Sequence, residues 1–167
     1  MWLGLSGLFR ARWSSQIHGE WKRSLLANRL DLSAEQLDRT SQLMDEAIPD
    51  ALVSGHETLI PNLVLPDPDD RHVLAAAVRC NADVIVTFNE KDFPADILQP
   101  LGIEAQHPDE FIDNLFDLDP PTVVQTAQQQ RSSLKFPPVD VDQYLESLLR
   151  QGLVQTARSL ATYRNML

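Results

Sequence analysis

The sequence predicts an α/β domain built on a parallel sheet, followed by an all-helical extension. Three observations carry this. Strand-like and helix-like segments alternate between about residues 9 and 118. Val84-Ile85-Val86-Thr87-Phe88 is nearly all apolar, the pattern of a strand buried on both faces of a parallel sheet. Beyond Asp119-Pro120-Pro121 only helical periodicity remains. The expected division is therefore an α/β domain over residues 1–118 and a helical extension over 119–167.

Each element has a local reason. Phe9-Arg10-Ala11-Arg12-Trp13 alternates apolar and polar residues, as a short strand does. Ser14-Ser15 offers an N-cap, and Ile17, Trp21 and Leu25 recur every four residues, one stripe of a helix ending near Asn28. Ser33 with Gln36 three residues on is a capping-box pattern, opening a helix whose inner face is Leu37, Leu43, Met44 and Ile48. Asp50 to Val53 begins a turn-rich stretch, and Leu59-Ile60 with Leu63-Val64-Leu65 reads as a short buried strand. Pro66-Asp67-Pro68-Asp69-Asp70 stops that strand: its prolines forbid a continuing ladder and its acids suit a helix N-terminus. The helix expected from about 69 to 80 turns Val73, Leu74, Ala76 and Ala77 inward. After the strand at 84–88 come a short helix at Pro94, a brief strand at 102–105 and a helix opened by Pro108-Asp109-Glu110. In the extension, helices are expected over 122–135, 141–149 and 153–167, the first broken by Phe136-Pro137-Pro138.

Composition narrows the function. The chain has 167 residues and a net charge of −10, distributed unevenly. Residues 1–30 hold five basic residues and one acid, residues 31–120 four basic residues and twenty acids, and the remainder five basic residues and three acids. A uniformly basic nucleic-acid binder is excluded, but an acidic centre flanked by mildly basic segments is not. A single cysteine, Cys80, rules out an internal disulfide and a thiolate zinc site. No apolar run is long enough to span a bilayer, and the apolar opening has no basic region before it, so neither a membrane segment nor a signal peptide is expected. A cytoplasmic protein is the simplest reading.

The chemistry concentrates between Asp67 and Pro94. An acid stands at a helix start, the helix returns into a buried strand, and Thr87, Asn89 and Asp92 follow at that strand's C-terminal end, where open α/β sheets bind ligands. Converging carboxylates need a counter-charge, and hard divalent cations such as Mg²⁺ or Mn²⁺ supply it through oxygen ligands. Asp69 and Asp67 have simpler readings, as an N-cap and as a turn residue. Arg71 and His72 read as surface or partner-facing groups of the first turn, with an RNA phosphate contact as the functional alternative. His18 and His56 have no partner at metal-ligand spacing. Trp13 and Trp21 read as core.

Asp70, Ala77, Thr87-Phe88-Asn89 and Asp92-Phe93 together resemble, in order and spacing, the PIN domain, a metal-dependent nuclease fold, and within it the VapC-type ribonuclease toxins. The resemblance covers about residues 8–118. It implies a three-layer α/β/α architecture with a short parallel sheet. It also places Glu20, in Trp13-Ser14-Ser15-Gln16-Ile17-His18-Gly19-Glu20, in the role of a second acid on the helix after a strand. From the residues alone, Glu20 is an exposed helix position beside Arg23 and Ser24. Glu20, Asp70 and Asp92 are thus the expected catalytic and metal-binding acids, holding Mg²⁺ or Mn²⁺, with Thr87 and Asn89 orienting them. Arg10, Arg12, Lys22, Arg23 and Arg71 are the expected RNA contacts. The family begins with a strand ending in Asp. This chain opens on Met1-Trp2-Leu3-Gly4-Leu5-Ser6-Gly7-Leu8, which reads as the end of a first helix, and its first acid is Glu20. The expectation is thus a PIN-like domain without its first strand.

Two functions follow. One is a PIN-type endoribonuclease, the toxin of a toxin–antitoxin pair, acting on RNA, binding an antitoxin protein and forming a homodimer. The other is a catalytically inactive remnant that dimerises or holds an antitoxin.

Overall fold

A computed structural model describes residues 2–167; Met1 lies outside the described residues. The chain divides into two compact units, one of residues 10–85 with 89–105 and the other of the segment up to Phe9 with 86–88 and 106–167.

The first unit opens with strand β1 (Trp13–Ser14), which pairs in parallel with β2 (Leu52–Val53). The strand expected from Phe9 is only its last residues: Trp13 N–H donates to the Ala51 carbonyl at 2.9 Å and ordered pairing begins there. The stretch read as turn-rich supplies the partner strand. Ser14 is fully buried and its hydroxyl accepts from Ile17 N–H, capping helix α1 (Ser15–Asn28). Helix α2 (Ala34–Ala47) starts with the expected capping box between Ser33 and Gln36.

The helix pair is joined by a part-buried polar network around the buried His18. Asp45 accepts from Trp13 Nε1 at 2.7 Å and meets His18 Nε2 at 3.1 Å, while Trp21 Nε1 donates to His18 Nδ1 at 3.0 Å. An indole N–H is a donor only, so Nδ1 is the acceptor and Nε2 carries the proton toward Asp45. The sequence showed His18 no partner because Asp45 lies on another helix.

The strand expected at 59–65 does not form. Pro61 sits inside a 3₁₀ turn, Ile60–Asn62, and the ring removes the N–H that a ladder needs. A second 3₁₀ turn, Pro68–Asp70, leads into α3 (Arg71–Cys80). Asn81 closes α3 in the left-handed region at φ 52°, a conformation asparagine tolerates better than most residues. Then β3 (Val84–Val86) pairs with β4 (Glu104–Gln106). Glu104 N–H donates to Asp83 and Thr87 N–H to Gln106, so the register advances in the same direction on both strands and the pair is parallel. The expectation of a strand buried on both faces holds only for Ile85. Val86, which points to the opposite face of the strand from Ile85, is 44% exposed. The short helix α4 (Ala95–Leu98) lies between them. Leu65, Leu74, Ala77, Ile85, Phe93, Leu98 and Ile103 form this unit's core around the inner face of α3, fixing where the helix begins. Burying each of the larger side chains stabilises the fold by about 2 kcal/mol.

In the second unit, α5 (Pro108–Leu118), α6 (Pro120–Ser133), α7 (Val141–Arg150) and α8 (Val154–Ala161) share a core of Leu115, Phe116, Val123, Val124, Tyr144, Leu145, Leu148, Leu160 and Leu167. Leu3, Leu8 and Phe9 pack against it, with Phe9 edge-on to Phe111 at 5.0 Å. The expected boundary at 118 falls inside this unit, because Leu115 and Phe116 of α5 turn into the same core as the later helices. The N-terminal segment expected to end a helix is a single 3₁₀ turn, Trp2–Leu5.

Two charged side chains, Asp109 buried and Arg131 half-buried, hold this unit together. Asp109 is 5% exposed and accepts Gln155 N–H and Thr156 N–H, both at 2.8 Å, so the first turn of α5 caps the first turn of α8. Burial pushes its carboxyl up, but the two backbone donors more than offset this and hold it below the ordinary carboxylate range. Arg131 donates Nε and Nη2 to the Leu167 carbonyl and Nη1 to the Val139 carbonyl. Arg131→Ala removes three charge-assisted bonds, two to the Leu167 carbonyl and one to the Val139 carbonyl. It should cost about 1–2 kcal/mol and lower the melting temperature by roughly 3–6 °C in a circular-dichroism melt. An unchanged melt would show that these bonds merely replace water.

Candidate functional site

Three carboxylates meet where the two 3₁₀ turns flanking the α3–β3 unit come together. Asp67 precedes the turn Pro68–Asp70, and its Oδ1 accepts Asp69 N–H at 2.9 Å. Asp70 is the last residue before α3, with φ −80° and ψ −7°, and its side chain makes no capping hydrogen bond. Its carboxylate is therefore not consumed by the helix end, the role that would have explained it structurally. Asp92 comes from the turn Glu90–Asp92 after β3 and accepts from Asn89 Nδ2. One oxygen from each of Asp67, Asp70 and Asp92 lies within 4.8 Å of the others.

The electrostatics are those of an unbalanced anionic cluster. Asp70 is pushed above the ordinary carboxylate range, first by burial and then by the charges of Asp67, Glu20 and Asp92, with His72 opposing. Among the described residues no Lys or Arg forms an ion pair with any of the three aspartates. Three hard oxygen donors at this spacing, two of them half-buried, suit a hard divalent cation.

Of the acids expected from sequence, Asp70 and Asp92 are brought together. Glu20 stands outside their 4.8 Å group but close enough for its charge to act on Asp70. It pairs not with Arg23 or Ser24 but with His72, whose Nε2 lies 2.7 Å from Glu20 Oε1. Asp67 was read as a turn residue, and it is that as well as a member of the cluster. His72 was read as a surface group but is 7% exposed. The signal was present: His72 lies four residues before Ala76, on the stripe that faces the core. Asn89 donates to Asp92, while Thr87 is tied through its backbone to Gln106.

The basic candidates are placed variously. Arg10, Arg12 and Arg23 are exposed. Lys22 is engaged, donating to Asp38 at 2.8 Å and Ser41 at 3.4 Å across to α2. Arg71 is half-buried, its Nε enclosed without a hydrogen-bond partner. No helix among the described residues is long and apolar enough to cross a membrane.

The sequence profile of the family described as "PIN domain" matches residues 3–91, and that described as "VapC50 C-terminal domain" matches residues 108–162. A Mycobacterium tuberculosis (strain ATCC 25618 / H37Rv) protein named "Putative ribonuclease VapC50" is 61% identical over 49 residues, which is 29% of this chain. The match spans 29% of that relative's length. No solved structure matches. The first profile takes in Glu20, Asp67 and Asp70 and more than half of the residues, and the second lies within the unit of C-terminal helices: the chain belongs to the PIN-domain family, as a VapC-type member.

Proposed function

We propose that the protein is a divalent-metal-dependent endoribonuclease, the toxin component of a toxin–antitoxin pair. The observation that carries this is the cluster of Asp67, Asp70 and Asp92, whose charges no cationic side chain among the described residues neutralises. Asp70 and Asp92 are the acids that hold Mg²⁺ or Mn²⁺, with Asp67 beside them and Glu20 as a further acid. A cation held there supplies positive charge against the phosphodiester and promotes ionisation of water near neutral pH. The residues do the rest. Asp70 fixes one donor to the start of a helix packed in the core. Asp92 is steadied by the amide of Asn89. Thr87, paired through its backbone N–H with Gln106, leads into the turn that carries Asp92. The exposed guanidinium groups of Arg10, Arg12 and Arg23, with Lys22 and Arg71, attract the RNA backbone that the acidic centre by itself would repel. An antitoxin protein and a second copy of the chain are the proposed partners, and the cytoplasm the proposed location.

The test is cleavage of a mixed-sequence RNA by purified protein. Cleavage with millimolar Mn²⁺ that falls to background in EDTA and returns when Mn²⁺ is added back supports the reading. Cleavage insensitive to EDTA overturns it. Absence of cleavage together with retained antitoxin binding would favour the inactive, partner-holding alternative.

A further inference from the structure

Glu20 lies on α1 and Asp70 directly precedes α3, and a side-chain bond from His72 ties Glu20 to α3. His72 lies two residues beyond Asp70 on the inner face of α3 and is 7% exposed, so the core that fixes Asp70 also fixes the imidazole. Its Nε2 donates to Glu20 Oε1 at 2.7 Å across a separation of 52 residues. The Glu20 side chain is 39% exposed. Without that bond its rotatable torsions would be free to sample solvent. The bond engages one of the two carboxylate oxygens, Oε1.

Packing alone does not account for a histidine here. His72 Nδ1 is buried and has no hydrogen-bond partner. A buried polar nitrogen left unpaired costs stability that an aliphatic side chain would avoid. The compensating interaction is the one to Glu20.

We propose that His72 is a positioning residue: by holding Oε1 of Glu20 it keeps the second oxygen available as an additional ligand to the divalent cation bound by Asp67, Asp70 and Asp92. The inference rests on the metal-centre reading above. A partner that orients a ligand carboxylate commonly changes metal affinity by about ten- to a hundredfold when removed. The charge of Glu20 already acts on Asp70, which places the two carboxylates within one electrostatic neighbourhood.

The test uses the full chain and Mn²⁺ alone, with the electron paramagnetic resonance signal of free Mn²⁺ giving bound stoichiometry and affinity. His72→Leu is expected to weaken Mn²⁺ binding about tenfold to a hundredfold. His72→Gln, which keeps an N–H donor at similar reach, is expected to recover most of that loss. In a Glu20→Gln background, His72→Leu is expected to add nothing, since His72 acts through Glu20. Melting curves of each variant report any loss of fold. A merely structural histidine would fail the rescue by Gln and would weaken binding equally in both backgrounds. Unchanged or tighter Mn²⁺ binding by His72→Leu, the result expected if His72 instead draws Glu20 away from the cluster, overturns the inference. If Asp70→Asn abolishes Mn²⁺ binding while His72→Leu does not alter it, this inference alone falls. If the unmodified protein binds no Mn²⁺, or Asp70→Asn leaves binding intact, the metal-centre reading falls with it.

Discussion

Asp70→Asn is expected to reduce Mn²⁺-dependent RNA cleavage by roughly a hundredfold or more, because it removes a direct oxygen ligand while preserving side-chain volume. The same change is expected to stabilise the metal-free protein. Asp70 is crowded by burial and by three neighbouring carboxylates, which raise it above the ordinary carboxylate range. Its ionised form therefore disfavours the fold. In the native protein this site favours folding below the ordinary carboxylate range, and that contribution is lost as pH rises through Asp70's raised value. The neutral amide removes the penalty, so at neutral pH without metal the melting temperature should rise by about 1–3 °C, a gain limited by solvent screening. With millimolar Mn²⁺ the order inverts, since a ligand bound only by the folded state stabilises the unmodified protein and not the variant. A paired melt with EDTA and with Mn²⁺ reads both signs. If the metal-free variant melts lower than the unmodified protein, Asp70 is a structural cap and the site is elsewhere.

Asp109→Ala is expected to lower the melting temperature by roughly 6–12 °C, from a cost of about 3 kcal/mol. It strips the first turn of α8 of two acceptors in a buried position, leaving Gln155 N–H and Thr156 N–H without their partner. Asp109→Asn keeps one acceptor oxygen and should lose about half as much. The pH dependence runs opposite to that of Asp70. Asp109 is held below the ordinary carboxylate range, so its contribution is fully present above that range and is lost as pH falls through its lowered value. An acid melt of the variant should therefore be flatter than that of the unmodified protein. A variant that melts within a degree of it would show that water satisfies the exposed donors.

These two aspartates also show what a sequence can disclose. Asp70 was legible because its surroundings are local: prolines before it, an alanine-rich stripe after it, and a strand with Thr87, Asn89 and Asp92 at its end. The capping box of Ser33 and Gln36 was legible for the same reason, since three residues suffice to form it. Asp109 was readable only as a helix-start acid. Its partners lie 46 and 47 residues away, and a backbone N–H leaves no trace in residue type. His72 and Glu20 stand 52 apart and His18 and Asp45 27 apart. Pairings of that range depend on how helices cross, which periodicity does not encode. Asp67 was half legible: its turn chemistry was plain, while its place in the cluster required knowing that the turn after β3 comes back to meet it. The strand expected at 59–65 does not form because Pro61, inside a 3₁₀ turn, outweighs the apolar content around it.

The packing of Leu3, Leu8 and Phe9 against a core drawn from residues 111–167 has a consequence for biosynthesis. These side chains are synthesised before residues 10–105, and the surface that shelters them after those residues. At roughly 5–20 residues per second, the apolar segment waits on the order of ten seconds or more before its native partners exist. The intervening unit, built from residues 10–85 and 89–105, needs nothing from the last sixty residues to complete its own core and can fold during that interval. Residues 10–105 can thus fold ahead of the unit that Leu3, Leu8 and Phe9 complete with residues 106–167.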